Sequence, residues 1–256
     1  MLSLTMFFRP YTRAALWFLA LSLSMFSAPV QAPDQMDVFL LIGQSNMAGR
    51  GVPTPADRVP HPRVFMLNKD LAWMPAVDPM HFDKPELIGV GLGSTFGRLI
   101  ADARPNATIG LVPAAFGGSA LEEWQPGQKH YVNAVARARE AMKRGRLVGI
   151  LWHQGESDAD TAKTATYAAR FAKFIAQLRQ DLGAPDVPVI VGELGRFRPE
   201  HAGMNAVLAT LPKSVPHCAF VSAEGLVDKG DKLHFDTPSL HEFGRRYATA
   251  WLAMQK

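Results

Sequence analysis

The sequence predicts an α/β fold: a central, mostly parallel sheet between helices on both faces, in effect a three-layer α/β/α sandwich. Two observations carry that prediction. Short, unbroken apolar runs rich in β-branched residues recur at 38–42, 108–112, 147–152 and 187–191, as strands buried on both faces require. Between them lie longer stretches with helical spacing, and strands alternating with helices close most simply into a parallel sheet.

Residues 38–42 (VFLLI) form the first strand, ended by Gly43. A Pro- and Gly-rich loop runs from 50 to about 62, and residues 63–68 (RVFMLN) read as the second strand. Residues 70–93 look irregular, with Trp73, His81, Phe82 and several prolines. Long aromatic loops of this kind either build substrate contacts or simply pack onto the domain. Ser94 reads as the N-cap of a helix carrying Phe96, Leu99 and Ile100. A strand follows at 108–112, then a helix at 131–144 stopped by Gly145, and a strand at 147–152. Helical spacing over 162–182 places Tyr167, Phe171, Phe174, Ile175 and Leu178 on one face, with Gly183 as the stop. Strands at 187–191 and 217–221, a helix at 201–211 and a closing helix at 239–255 complete the pattern. No repeat, low-complexity tract or linker divides the chain, so residues 33–256 are expected to form one domain.

The N-terminus has the three parts of a secretory signal. Arg9 and Arg13 charge its start, residues 14–28 form an apolar core, and Val30-Gln-Ala32 offers a cleavage site. Residues 1–32 are therefore expected to be a signal peptide, and the protein to be secreted or periplasmic. Pro29 and Pro33 leave the cut site open, and a retained membrane anchor is the alternative. The apolar run is short against the ~20 residues of a bilayer span, which favours cleavage and no stable membrane insertion. Without the leader, 25 basic residues stand against 23 acidic ones, scattered along the chain. That near neutrality gives no electrostatic footprint for nucleic acid. Cys218 is the single cysteine, so no internal disulfide forms; it lies in an expected strand, where packing is its expected role.

Four loops at expected strand ends concentrate polar residues: Gln44-Ser45-Asn46, Gly117-Gly118-Ser119, His153-Gln154-Gly155-Glu156 and Asp231-Lys-Leu-His234. In a parallel sheet all these ends share one edge, where open α/β sheets bind their ligands. Ser45 stands just past the first strand, placed either as a nucleophile or as a helix cap. An aspartate three residues before a histidine is spaced to accept Nδ1–H, leaving Nε2 to face a serine hydroxyl. Taken alone, the Asp231/His234 pair is a common surface contact. His153 could serve as a base or, with Glu156 and Asp158, as a metal ligand, but a buried hydrogen-bonding role fits it better. Glu156 is a second carboxylate able to serve His234, with the local spacing favouring Asp231. Met47 replaces the second glycine of the ordinary nucleophile elbow.

Together, Gly43-Gln-Ser-Asn-Met47, Gly117-Gly-Ser119 followed by Trp124, Trp152-His-Gln-Gly-Glu156 and Asp231-x-x-His234 resemble the SGNH/GDSL hydrolase superfamily. Within it they are most similar to the carbohydrate esterases of family six, which include the sialate O-acetylesterase-like domain. The resemblance runs from about Asp37 to the C-terminal helix. It implies a flavodoxin-like sandwich and a serine esterase that removes O-acetyl groups from carbohydrates, of acetylxylan or sialate type, without metal or organic cofactor. It makes Ser45 the nucleophile, His234 the general base and Asp231 its orienting carboxylate. The backbone N–H groups of Ser45 and Gly117 (or its neighbour Gly118) would form the oxyanion hole. Many relatives add an asparagine side chain there; Gln154 stands in its place here. The rivals are a general short-chain or lipase-like esterase and a catalytically silent carbohydrate-binding domain.

Overall fold

Strand β1 (Met36–Gly43) is buried along its whole length and serves two cores by turns. Met36, Val38, Leu40 and Ile42 point into one, and Phe39 and Leu41 into the other. Such alternation is what the two-residue period of a strand demands when both faces are covered. At roughly 1.5–3 kcal/mol per fully buried large aliphatic side chain, this strand anchors both cores. The computed structural model describes residues 34–255, so the expected signal peptide lies outside the described residues.

Six further strands join β1: β2 (Val64–Leu67), β3 (Trp73–Pro75), β4 (Ile109–Pro113), β5 (Gly145–His153), β6 (Val189–Gly192) and β7 (Cys218–Val221). Their order across the sheet is β3-β2-β4-β1-β5-β6-β7. Every pairing is parallel except β2 with β3. One core carries α3 (Lys129–Met142), α4 (Thr161–Asp181), α5 (Ala202–Leu208) and α6 (Leu211–Ser214); the other carries α2 (Gly93–Ala103) and α7 (Thr237–Ala253). The fold class read from the sequence is therefore the one observed. The remaining helix, α1 (Ser45–Ala48), follows β1 directly.

Two local readings change. The segment expected to be irregular, 70–93, contains β3, which turns back on β2 through Asn68, whose side chain accepts from the N–H groups of Asp70 and Ala72. A three-residue strand has too few alternating positions to show a period. The helix expected over 201–211 is broken into a short 3-10 turn, α5 and α6, with Pro212 one residue into the last, where a proline is tolerated.

The topology leaves β1 in mid-sheet with β4 on one side and β5 on the other. The strand order reverses there, so the carboxyl end of β1 is the crevice where an open sheet binds its ligand.

Candidate active site

Ser45 is the first residue of α1, and Gln44 occupies the N-cap without a side-chain cap bond. The capping reading is thereby removed, because the Ser45 hydroxyl is spent elsewhere: its Oγ lies 3.0 Å from His234 Nε2. His234 Nδ1 lies 2.7 Å from Asp231 Oδ2. With Nδ1–H donating to the carboxylate, Nε2 is left to accept from Ser45 Oγ–H. The second Asp231 oxygen accepts from the N–H groups of Leu233 and His234 at 2.9 and 2.8 Å. Partial burial pushes the Asp231 carboxyl up, but these donors and the His234 imidazole outweigh it and bring it to about 2. Asp231 is thus a carboxylate throughout the neutral range.

Asp231 and His234 sit in the loop after the edge strand β7, and the chain must carry them back over the sheet to reach β1. Two anchors do this. Phe235, wholly buried, stacks edge-on against Phe197, Phe243 and His153. Asn46 grips the backbone on either side of His234: its Nδ2 donates to Leu233 O at 3.2 Å, and its Oδ1 accepts from Phe235 N–H at 3.1 Å. The same Nδ2 donates to Glu156 Oε1 at 2.7 Å. Glu156 therefore serves Asn46, and the carboxylate on His234 is Asp231.

His153 is fully buried, its Nε2–H donating to Glu193 O at 3.2 Å. Burial pulls its pKa down, which keeps the ring neutral as a platform for Phe235 and Phe243. Among the described residues no three His, Cys, Asp or Glu side chains converge as a metal site. Burial pushes the Cys218 thiol up to about 12, consistent with its packing role.

Two expected oxyanion donors are found committed to other partners. The Gln154 side chain is buried, with Nε2 donating to Ser119 O at 3.1 Å and to Asp158 Oδ2 at 2.7 Å. Its Oε1 accepts from Tyr167 OH at 2.8 Å. Both amide hydrogens are used, so Gln154 ties the loop after β5 to the loop after β4 and offers nothing to the serine. A position just past a strand end does not determine which way an amide turns. The Gly117 N–H likewise donates to Asp83 Oδ2 at 2.8 Å. Gly117 itself does border Ser45, since a Cβ added there would lie 3.5 Å from Ser45 Cβ.

Asp83 was not singled out from the sequence, nor was Arg50, which donates to it at 2.7 Å. A signal for Arg50 existed: a lone charge at the end of the otherwise uncharged stretch 38–49 needs a buried partner. The five buried side-chain polar atoms without a partner among the described residues are Gln44 Oε1, His81 Nε2, Asp83 Oδ1, His153 Nδ1 and Glu156 Oε2. All belong to the loops around Ser45 or to residues packed under them.

Against this geometry, residues 35–253 match the family model described as carbohydrate esterase, sialic acid-specific acetylesterase. A probable carbohydrate esterase of Arabidopsis thaliana is 32% identical over 86% of this chain and 91% of its own length. The crystal structure of that Arabidopsis protein superposes with a TM-score of 0.80, covering 98% of its chain. NanS is 20% identical, with a TM-score of 0.73 over 88% of this chain and 99% of the other. A carbohydrate acetylesterase from Xanthomonas citri, also 20% identical, gives a TM-score of 0.62 over 84% of this chain and 55% of its own.

Proposed function

The chain belongs to the carbohydrate esterase family of sialic acid-specific acetylesterases, and from that premise we propose that it is an exported serine esterase that deacetylates sugars. In this reading Ser45 attacks the acetyl carbonyl while His234 takes its proton, and Asp231 holds the imidazole and stabilises its charged form. The sugar hydroxyl leaves with that proton, and water activated by His234 then releases acetate from the acyl-enzyme. The observation that carries the proposal is the unbroken line Ser45 Oγ–His234 Nε2 at 3.0 Å and His234 Nδ1–Asp231 Oδ2 at 2.7 Å. A silent carbohydrate-binding domain has no use for a serine aligned in this way. The acetylated substrate belongs to the family's chemistry, and xylan and sialic acids are the first two carriers to examine. We also propose that residues 33–256 act as one esterase domain after removal of the leader; among the described residues no helix is long and apolar enough to cross a membrane.

The test is turnover of chromogenic acetyl and octanoyl esters, with acetate release from acetylated xylan and acetylated sialic acids, by wild type and Ser45→Ala. Acetyl esters should be cleaved faster than octanoyl, because overfilling a closed acyl pocket is costly, and Ser45→Ala should be inactive. Faster octanoyl turnover would move the enzyme to the lipase-like class. No turnover of any ester by folded wild type would leave the binding-domain reading.

A further inference from the structure

The loop after β4 bends at Phe116–Ser119 and carries three N–H groups at the bend. Ser119 N–H donates to Phe116 O at 3.2 Å, closing a four-residue turn. Gly118, third in that turn, has φ of +82°, which marks a type II turn and is taken without strain by glycine. Gly117 N–H is held by Asp83. Gly118 N–H alone has no acceptor among the described residues.

Asp83 is well placed to hold the turn. Its Oδ2 accepts from Gly117 N–H at 2.8 Å and from Arg50 Nη2 at 2.7 Å. Arg50 in turn donates to Gly49 O at 2.8 Å, at the end of α1. The two side chains are 1% and 4% exposed, respectively. Although burial pushes the Asp83 carboxyl up, the bonds from Arg50 and Gly117 outweigh it and hold it below the usual range, so the pair is ionic. A Cβ on residue 117 would stand 2.4 Å from Arg50 Nη2 and 2.8 Å from Asp83 Oδ2. Only glycine lets the ion pair close against this turn.

We infer that the buried Asp83–Arg50 pair positions the glycine turn against the nucleophile segment, so that Gly118 N–H, and not Gly117 N–H, joins Ser45 N–H as backbone donor to the developing oxyanion. The inference rests on the serine esterase reading. Asp83 and Arg50 touch no substrate; they act through the turn. By locking the Gly117 peptide they fix the orientation of the next one, and a donor aimed beforehand at the transition state raises kcat without tightening substrate binding.

Removing one charge would strand the other, so the variants change both. Arg50→Met with Asp83→Asn keeps an oxygen acceptor for Gly117 N–H; Arg50→Met with Asp83→Leu removes it. On an acetyl ester the leucine double should show a kcat about ten- to a hundredfold below the asparagine double, below the ~10²–10³ of losing a donor outright. KM should agree within about twofold. A boronic acid, which forms a tetrahedral adduct on a reactive serine, should bind more weakly to the leucine double by the same factor. Equal kcat in the two folded doubles overturns the inference while leaving the esterase reading intact, provided wild type is active and Ser45→Ala is not. An inactive wild type removes both. If either double fails to fold, amide spectra of 15N-labelled wild type decide. On boronate binding the Gly118 amide proton should move downfield and the Gly117 proton stay put; the reverse assigns the donor to Gly117.

Discussion

At the scale of single residues, the site is decided by which hydrogen bond each amide side chain makes. Gln154 illustrates it: its position suggested a donor to the oxyanion, but its amide is used by Ser119, Asp158 and Tyr167. Gln154→Ala should therefore lose stability more than rate. Stranding buried partners costs about 1–3 kcal/mol each, and a domain of this size loses about 2–4 °C of melting temperature per kcal/mol. A drop of several degrees with a kcat within about tenfold of wild type, well short of the ~10²–10³ of a lost donor, is the expected result of kinetics and calorimetry on one preparation. Asn46 should behave in the opposite way. Its side chain holds the backbone on both sides of His234, so Asn46→Ala loosens His234, the proposed general base, relative to Ser45. Misplacing a catalytic group by about 1 Å costs about 10²-fold, and kcat should fall by about that factor. A fully active, folded Asn46→Ala would show that Phe235 alone holds the loop.

At the scale of elements, the loops are the expensive parts. The segment between β3 and α2 enters the core at Asp78, 1% exposed, which accepts from Ser94 Oγ–H and from Gly91 N–H. Burial pushes the Asp78 carboxyl up to about 7, against the partial relief of those two donors; Asp57 adds to the rise and Arg98 opposes it. A carboxyl whose folded pKa exceeds its unfolded value near 3.9 binds protons better when folded, so its contribution to stability falls as pH rises from about 4 to about 7. Wild type minus Asp78→Asn in unfolding free energy should accordingly decrease between pH 5 and pH 8 in urea titrations. His81 is a buried histidine held neutral, down to about 3 mainly by desolvation. It acts with the opposite sign below about pH 6.5, and the difference between the two proteins cancels it. A flat or rising difference would mean that Asp78 is ionised at neutral pH.

Over the whole molecule, what was legible in the sequence was whatever repeats with a short period or sits at a strand end. Residues 38–42 and 147–152 announced buried strands because every side chain in them is apolar, and the helix now seen as Thr161–Asp181 showed its face through Tyr167, Phe171, Phe174 and Leu178. Ser45, Asp231 and His234 stood out because each lies in a polar loop at the end of such a run or at the right spacing from another. β3 is too short to show a period, and the break between α5 and α6 falls at Ala209–Thr210, ahead of Pro212 and without a helix-breaking residue of its own. Partner choice was not legible at all. Asn46 reaches Leu233, 187 positions away, and Asp83 reaches Gly117, 34 positions away; nothing local in either stretch encodes the meeting. The account as a whole stands on Ser45 becoming acylated. Intact-mass spectrometry after rapid acid quenching of enzyme with excess acetyl ester tests that directly. One acetyl group should appear on wild type, map to the peptide carrying Ser45, and accumulate further in His234→Gln if its deacylation is the slower step. It should be absent from Ser45→Ala. Rapid acetate release by wild type, with no acetyl on Ser45 in either histidine form and activity retained in Ser45→Ala, would contradict the account.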